Sequence, residues 1–412
     1  VRRDAILLLS ANALRNLGYG MLDVLLVLYL AEIGVKPVSI AALITATLFG
    51  SAILNLLVGM FADRVGRRRM LAMATAIMIL AGLVLTLSTN LFVLLVAALT
   101  GTLNFASVST GPFVALDQAT LPQLVSPENR NRAYGVYNAA ALLARMLGAL
   151  VSAAPNVLHA AAGVPMMDGY RLTLASFVVL GMISLVCLAA LSPAMEAKDA
   201  AVAGRRVFRL ERSRSRVFRM SALFSVDGFT SGLAANSLIV LLFHQRFGVG
   251  AEVLGPAYSV ARLLQALSYQ VAVRFANRFG LLNTMVFTHL PSQFLLMALP
   301  FAATLPVGIA LLLLRQSLAH MDLPTRQAYL ATIVEPEERT PAAGFTNLTR
   351  NIAQGISPTL TGYAYQAMAF AVPFVAAGSL GVLYDLGMYV SFRKVRPGDE
   401  AVLLAGRRSR AY

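Results

Sequence analysis

The sequence predicts an all-α membrane protein, with twelve transmembrane helices arranged as two six-helix, pseudo-symmetric bundles. Three observations predict it. Apolar runs of about 20 residues, the length that crosses a bilayer core, recur along the whole chain. The polar segments between them alternate between arginine-rich and arginine-poor. Motifs of the first half return in the second, in the same order and orientation.

Composition sets the class. The 412 residues are 58% hydrophobic and 13% charged, with a mean hydropathy of +0.71. Soluble domains carry about 25% charged residues. In lipid, every backbone N–H and C=O needs a partner inside its own segment, so the spans are helices. The net charge of +15 would suggest nucleic acid in a soluble protein. Here the arginines fall in loops and tails, so they imply topological anchoring and contact with anionic lipid, with no nucleic acid partner. Cys187 is the only cysteine, which excludes a disulfide within the chain and a thiol metal site. Tryptophan is absent, so interfacial aromatics must be Tyr and Phe. The first apolar run starts at Ala5, exceeds signal-peptide length and has no clear cleavage site; it is expected to be a retained first helix.

Taken in order, the expected spans are roughly 5–31, 39–62, 70–88, 92–116, 132–157 and 172–191, then 220–243, 253–275, 285–303, 306–330, 341–365 and 372–391. The longest polar stretch between them, residues 194–219, carries Arg205, Arg206, Arg209, Arg212, Arg214, Arg216 and Arg219 and reads as a basic cytoplasmic linker. The expected organisation is therefore an N-terminal bundle over 1–193, a C-terminal bundle over 220–395 and a basic tail over 396–412. One set of loops holds Arg2, Arg3, Arg64, Arg67 to Arg69, Arg130, Arg132, the linker, Arg278, Arg339 and the tail. The other holds Lys36, Arg171 and Arg246. The positive-inside rule places both termini in the cytoplasm, which agrees with an even number of spans. The expected location is the plasma (inner) membrane.

The repeat is direct. The segment from Asp117 to Arg130 aligns with Arg326 to Arg339 at an offset of 209 residues, and Phe61-Ala-Asp-Arg-Val-Gly aligns with Phe275-Ala-Asn-Arg-Phe-Gly at 214. Two matches in the same order point to parallel repeats. Asn277 and Arg278 stand in the second copy where Asp63 and Arg64 stand in the first.

Polar residues within the spans form stripes at helical spacing. The first span carries Asn12, Arg15, Asn16, Tyr19 and Asp23. The fifth carries Arg145, the seventh Asp227, and the eighth Tyr258, Arg262, Gln265 and Tyr269. The tenth carries Arg315, Asp322 and Arg326, and the eleventh Arg350 and Gln354. Each intramembrane ion costs about 2.5–3.5 kcal/mol on insertion scales, so each needs a reason. One reason is that such residues glue helices together. The other is that Asn12, Arg15, Asn16, Tyr19, Arg145, Tyr258, Arg262, Gln265, Arg350 and Gln354 line a substrate cavity. Arg15, Arg145, Arg262, Arg315 and Arg350 set against Asp23, Asp227 and Asp322 favour an anionic, zwitterionic or amphipathic small-molecule substrate. Asp23, Asp227 and Asp322 are the candidates for proton coupling, and each could equally be a fixed partner of an arginine. His289, Gln293 and Asp385 interrupt the otherwise apolar ninth and twelfth spans. No catalytic, cofactor or metal motif appears: the histidines are scattered, and nucleotide loops and nucleophile elbows are missing, so an enzyme is not expected.

Between the second and third spans lies Gly59-Met-Phe-Ala-Asp63-Arg64-Val-Gly66-Arg67-Arg68-Arg69. It resembles the G-x-x-x-D-R-x-G-R-R signature of the major facilitator superfamily, and every fixed position is met. The general look is closest to the twelve-span drug/proton antiporter branch. The resemblance implies two bundles that alternate access, with spans three, six, nine and twelve outermost. It also implies a cytoplasmic gate built from Gly59, Asp63, Arg64, Gly66, Arg67, Arg68 and Asp117, with Asn277 and Arg278 as a weaker counterpart. In that gate Asp63 faces the start of the eleventh span and Arg67 reaches Asp117. Proton-coupled efflux by a monomer is the expectation; uptake or exchange of an organic anion, or a receptor or assembly factor that keeps the fold, are the alternatives.

Overall fold

The computed structural model describes residues 2–103, 112–121, 124–125, 130–192, 213–335 and 338–394. Most of the basic linker and the whole tail 396–412 lie outside them. Every regular element among the described residues is helical: α1 (Arg2–Glu32), α2 (Pro37–Val65), α3 (Arg67–Leu87), α4 (Leu91–Leu99), α5 (Pro112–Thr120), α6 (Arg130–Val151), α7 (Ala154–Ala162) and α8 (Met166–Ala189), then α9 (Arg214–Leu233), α10 (Asn236–Phe247), α11 (Ala251–Phe279), α12 (Leu281–Ala298), α13 (Leu305–Ala319), α14 (Asp322–Ile333), α15 (Arg339–Ile356), α16 (Pro358–Gln366) and α17 (Ala371–Phe392), with a 3₁₀ turn at Leu299–Phe301. Among the described residues, seven helical stretches are long and apolar enough to cross a membrane.

Several expected spans are built from two shorter pieces, whereas the span expected at 253–275 is the single helix α11, and proline accounts for two of the breaks. Pro155 and Pro358 lack the N–H that would continue a helix, so α6 gives way to α7 at Ser152–Ala153 and α15 to α16 at Ser357. The freed backbone groups find new partners, as in the bonds from the Asn156 N–H to the Ala153 carbonyl and from the Leu360 N–H to the Ser357 carbonyl. The α9–α10 break at Ala234–Ala235 has no proline, and nothing in the structure explains it. Helix starts follow familiar rules: Pro37 opens α2, and the Asn90 side chain accepts from the Phe92 and Val93 N–H groups at the head of α4. Gly66, at φ 98°, makes the turn between α2 and α3 that a side chain would resist. The end of the expected linker is helical: α9 starts at Arg214 because the Ser213 N–H donates to Glu338 (2.8 Å) and Arg216 donates to the Ile333 carbonyl (3.2 Å).

The chain folds as two compact units. The first comprises Val1–Gly204, Ala234–Leu263 and Gly355–Phe370; the second Arg205–Leu233, Leu264–Gln354 and Ala371–Tyr412. In the first unit α1 is the axis, buried without interruption from Gly18 to Leu30 against α6, α8 and α10. Close approach requires small residues there: a Cβ on Gly148 would collide with the Leu17 carbonyl, and one on Gly20 with the Arg145 backbone. Also within this unit, α2 packs on α16, with Thr45 and Thr359 hydroxyls 2.8 Å apart. The second unit is centred on Val217, Met220, Phe224, Met285, Tyr329 and Tyr384 of α9, α12, α14 and α17. Leu80 and Leu87 of α3, Val186 of α8 and Leu383 and Val390 of α17 are exposed. Such side chains suit contact with lipid tails.

Candidate functional site: three buried charge clusters

Two clusters belong to the first unit. In one, Arg15 of α1 donates to Asp117 of α5 at 2.6 Å, and the Tyr137 hydroxyl of α6 donates to the same Asp117 oxygen at 3.1 Å. The Arg15 guanidinium also lies 4.5 Å from the Phe113 ring centroid. Both ions are essentially sealed, at 1% and 0% side-chain exposure. This corrects one expectation. Asp117 is fully buried and its partners here are Arg15 and Tyr137, where the resemblance implied Arg67. Tyr137 carried no sequence signal. Asn12 donates to the Tyr137 carbonyl and Asn16 to Asn12, which ties that stripe of α1 together.

The second cluster is centred on Asp23 of α1. Arg262 of α11 donates to it at 2.9 Å, and Arg145 of α6 stands 4.0 Å from its other oxygen. Arg145 also lies over the Tyr19 ring at 5.6 Å, and Tyr19 donates to the Thr102 carbonyl. Two guanidinium groups therefore share one carboxylate, all at 3% exposure or less. A buried pair with excess cation is stable only if the geometry is good and further hydrogen bonds are made. Helix backbones are fixed around it: Ser237 of α10 donates to the Asp23 carbonyl (3.4 Å), Tyr258 donates to the Asn236 carbonyl (2.9 Å) and Tyr365 to the Leu238 carbonyl (2.9 Å).

The third cluster lies in the second unit. One oxygen of Asp227 on α9 accepts from Arg326 of α14 (2.7 Å) and from Arg350 of α15 (2.8 Å). Arg326 also pairs with Asp322 one turn earlier, at 3.4 Å. Arg350 reaches Ser231 and Gln354. Next to this group, His289 of α12 meets Asp385 of α17 at 2.9 Å, and Gln293 meets the other ring nitrogen of His289, also at 2.9 Å. The sequence marked His289, Gln293 and Asp385 only as exceptions in apolar spans. Polar residues in such spans are costly, and that was the signal that they belong together.

The gate candidates are described in part. Gly59 and Asp63 lie on α2, but their surroundings are outside the described residues. Arg64 is exposed, and Arg68 donates to the Ala189 carbonyl at the end of α8. Asn277 and Arg278 are exposed on α11, with Arg278 over the Phe279 ring. Gln265, fully buried, donates to the Tyr269 hydroxyl. No group of three or more His, Cys, Asp or Glu side chains able to hold a metal occurs among the described residues.

Comparison with known proteins matches this arrangement to a family. The sequence profile of the Major Facilitator Superfamily matches residues 8–314 and 229–410. A protein of Saccharomyces cerevisiae, "Uncharacterized membrane protein YJR124C", is 27% identical over 416 residues, 93% of each chain. The crystal structure of the nucleoside transporter NupG superposes with a TM-score of 0.73 at 13% identity, covering 94% of this chain and 100% of that one. The human organic anion transporter MFSD10 gives 0.63 at 18% identity, covering 94% and 99%. The D-xylose-proton symporter gives 0.69 at 17%, covering 93% and 97%. These solved structures share the fold and are transporters rather than enzymes. A multi-pass helical protein with charges buried between its spans, matched by the family profile over most of its length, belongs to the Major Facilitator Superfamily.

Proposed function

We propose that the protein is a secondary active transporter that moves a small organic anion, zwitterion or amphipath by alternating access of its two six-span halves, 1–193 and 220–395. Export driven by protons is the favoured direction. The observation that carries this reading is the Asp23 cluster, where Arg145 and Arg262 converge on one carboxylate. Arg262 comes from the second half of the sequence and Asp23 from the first. With cytoplasmic termini, Asp23 lies past the middle of α1 on the outer side and Arg262 lies near the middle of α11. Breaking the Asp23–Arg262 bond then opens the outer side and releases a guanidinium. A guanidinium binds carboxylate or phosphate through paired, charge-assisted hydrogen bonds. An anionic solute and Asp23 therefore compete for the same cation, which links binding to gating.

The cytoplasmic counterpart is the turn from Gly59 to Arg68 with Asp63, backed by Asn277 and Arg278 in the second copy. The proton enters as the coupling ion at the buried carboxylates Asp23, Asp227 and Asp322. The protein works as a monomer in the plasma (inner) membrane, with anionic lipid against its arginine-rich face. Uptake or exchange of an organic anion uses the same residues; vesicles with a proton gradient of either sign separate it from export. A receptor that merely keeps the fold tolerates neutral residues at these positions.

A thermal-shift screen of the purified protein against organic anions and organic cations, at two pH values, tests the proposal. Stabilisation by anions in the parent, and its loss in Arg145→Gln and Arg262→Gln, is the expected result. Stabilisation by cations alone, or equal anion response in the variants, overturns it.

A further inference from the structure

We propose that Asn138 of α6 and Asn347 and Asn351 of α15 are solute-contact residues, and that the solute carries hydroxyl or amide groups beside its negative charge. The solute part rests on the transporter reading above; the placement of the asparagines in water does not. The repeat is the starting point. Asn138 and Asn347 hold the same place in the two copies, each eight residues after the arginine that opens its helix, Arg130 and Arg339. At 1.5 Å per residue that is about 12 Å along the helix, and Asn351 is about 18 Å along. A hydrocarbon core is about 30 Å thick, so all three lie within its depth.

Both helices are exposed on two faces. On α6, Val136, Leu143 and Leu147 form an exposed apolar face, and Asn138 is exposed on the opposite side. On α15, Ile352 and Ile356 are exposed, and Asn347, Arg350, Asn351 and Gln354 share the opposite face at helical spacing. Apolar side chains suit lipid tails. An amide turned to lipid would keep a donor and an acceptor that hydrocarbon cannot satisfy. Such residues can also glue helices, as Asn12 and Asn16 do on α1. Asn138, Asn347 and Asn351, however, make no hydrogen bond among the described residues; the first two are exposed and the third is half-buried. At that depth, amides that no helix uses face water.

Neighbours on α15 differ in how they are held. Arg350 is fixed by Asp227 (2.8 Å), Ser231 (3.2 Å) and Gln354 (3.3 Å). A solute can engage the two asparagines beside it without first breaking a bond inside the protein. A carboxamide is uncharged and both donates and accepts. A solute that displaces the water on it keeps that bonding only by offering hydroxyl or amide groups of its own; an apolar chain loses affinity in the exchange. In the first half, Asn138 lies about 10 Å from Arg145 along the same face of α6. Hydrogen bonding and charge are thus read at successive positions on one helix.

Cys187 is the only cysteine, so Cys187→Ser gives a background for single cysteines. The full chain in lipid nanodiscs, open to reagent from both faces, is treated with a membrane-impermeant methanethiosulfonate. The thiolate is the reactive form, and hydrocarbon does not support that charge. Asn138→Cys, Asn347→Cys and Asn351→Cys are expected to react at least tenfold faster than Leu143→Cys and Ile352→Cys on the apolar faces. Equal rates overturn the proposal. The solute is then tested by thermal shift with gluconate and hexanoate, six-carbon anions of equal charge that differ in hydroxyl groups. Gluconate is expected to stabilise the parent more than hexanoate, and Asn347→Ala combined with Asn351→Ala is expected to erase the difference. An equal or larger response to hexanoate, or a gluconate preference unchanged in the variant, overturns the proposal. A response to neither anion overturns the anion reading and the solute claim with it, while reactive cysteines still show a water-filled face.

Discussion

The Asp23 cluster and the Asp227 cluster are built from the same parts and balanced in opposite directions. In the first, one carboxylate is shared by two arginines, Arg145 and Arg262. In the second, Asp227 is likewise shared by two arginines, Arg326 and Arg350, but Asp322 and the His289–Asp385 pair surround it. In the first cluster the guanidinium groups outnumber the carboxylate they share; in the second, further acids stand beside the shared one. A buried ion tolerates loss of a partner only where another of the right sign remains. The two regions should therefore answer differently to the same kind of substitution.

The largest expected effect is at Arg326. Arg326→Gln leaves Asp322 without its guanidinium and Asp227 with Arg350 alone. Breaking a buried pair costs about 3–5 kcal/mol, so the variant should melt far below the parent in detergent. A melting point within error of the parent would mean that the second cluster is not held by charge pairing. Next comes Arg262→Gln. Arg145 remains beside Asp23, so the cost should be that of one charged hydrogen bond, about 1.5–3 kcal/mol. If Arg262→Gln proved more damaging than Arg326→Gln, the contrast between the clusters would be reversed. A similar loss is expected for Gly148→Ala, where overpacking against the Leu17 carbonyl costs about 1–3 kcal/mol. The smallest is Asn90→Ala, which removes the cap of α4 far from both clusters and should cost about 1 kcal/mol. It serves as the baseline for a change that touches no buried charge.

Much of the fold was legible because apolar length and loop charge are local properties. Runs of about 20 residues mark the spans without any knowledge of their neighbours. The proline breaks at Pro155 and Pro358 could have been read as well. The break at Ala234–Ala235 could not, since alanine favours a continuous helix. Partners were harder. Helical spacing grouped Asn12, Arg15 and Asn16 on one stripe, and the structure ties Asn12 to Asn16. It could not say that Arg15 would meet Asp117, which lies on another helix 102 residues away. The His289–Asp385 pair is separated by 96 residues on two different helices, and helical spacing cannot reach across that distance. What the sequence did offer was the exception itself, three polar residues in spans that otherwise suit lipid.

The most direct measurement of the central claim is counterflow of labelled organic anions into liposomes containing the purified protein. The parent should exchange at least one such anion. Arg262→Gln should lose the exchange by about tenfold or more, the factor that 1.4 kcal/mol of lost binding produces, while still eluting as folded protein. Undiminished counterflow in Arg262→Gln would contradict the claim that the cation shared with Asp23 is the one the solute binds.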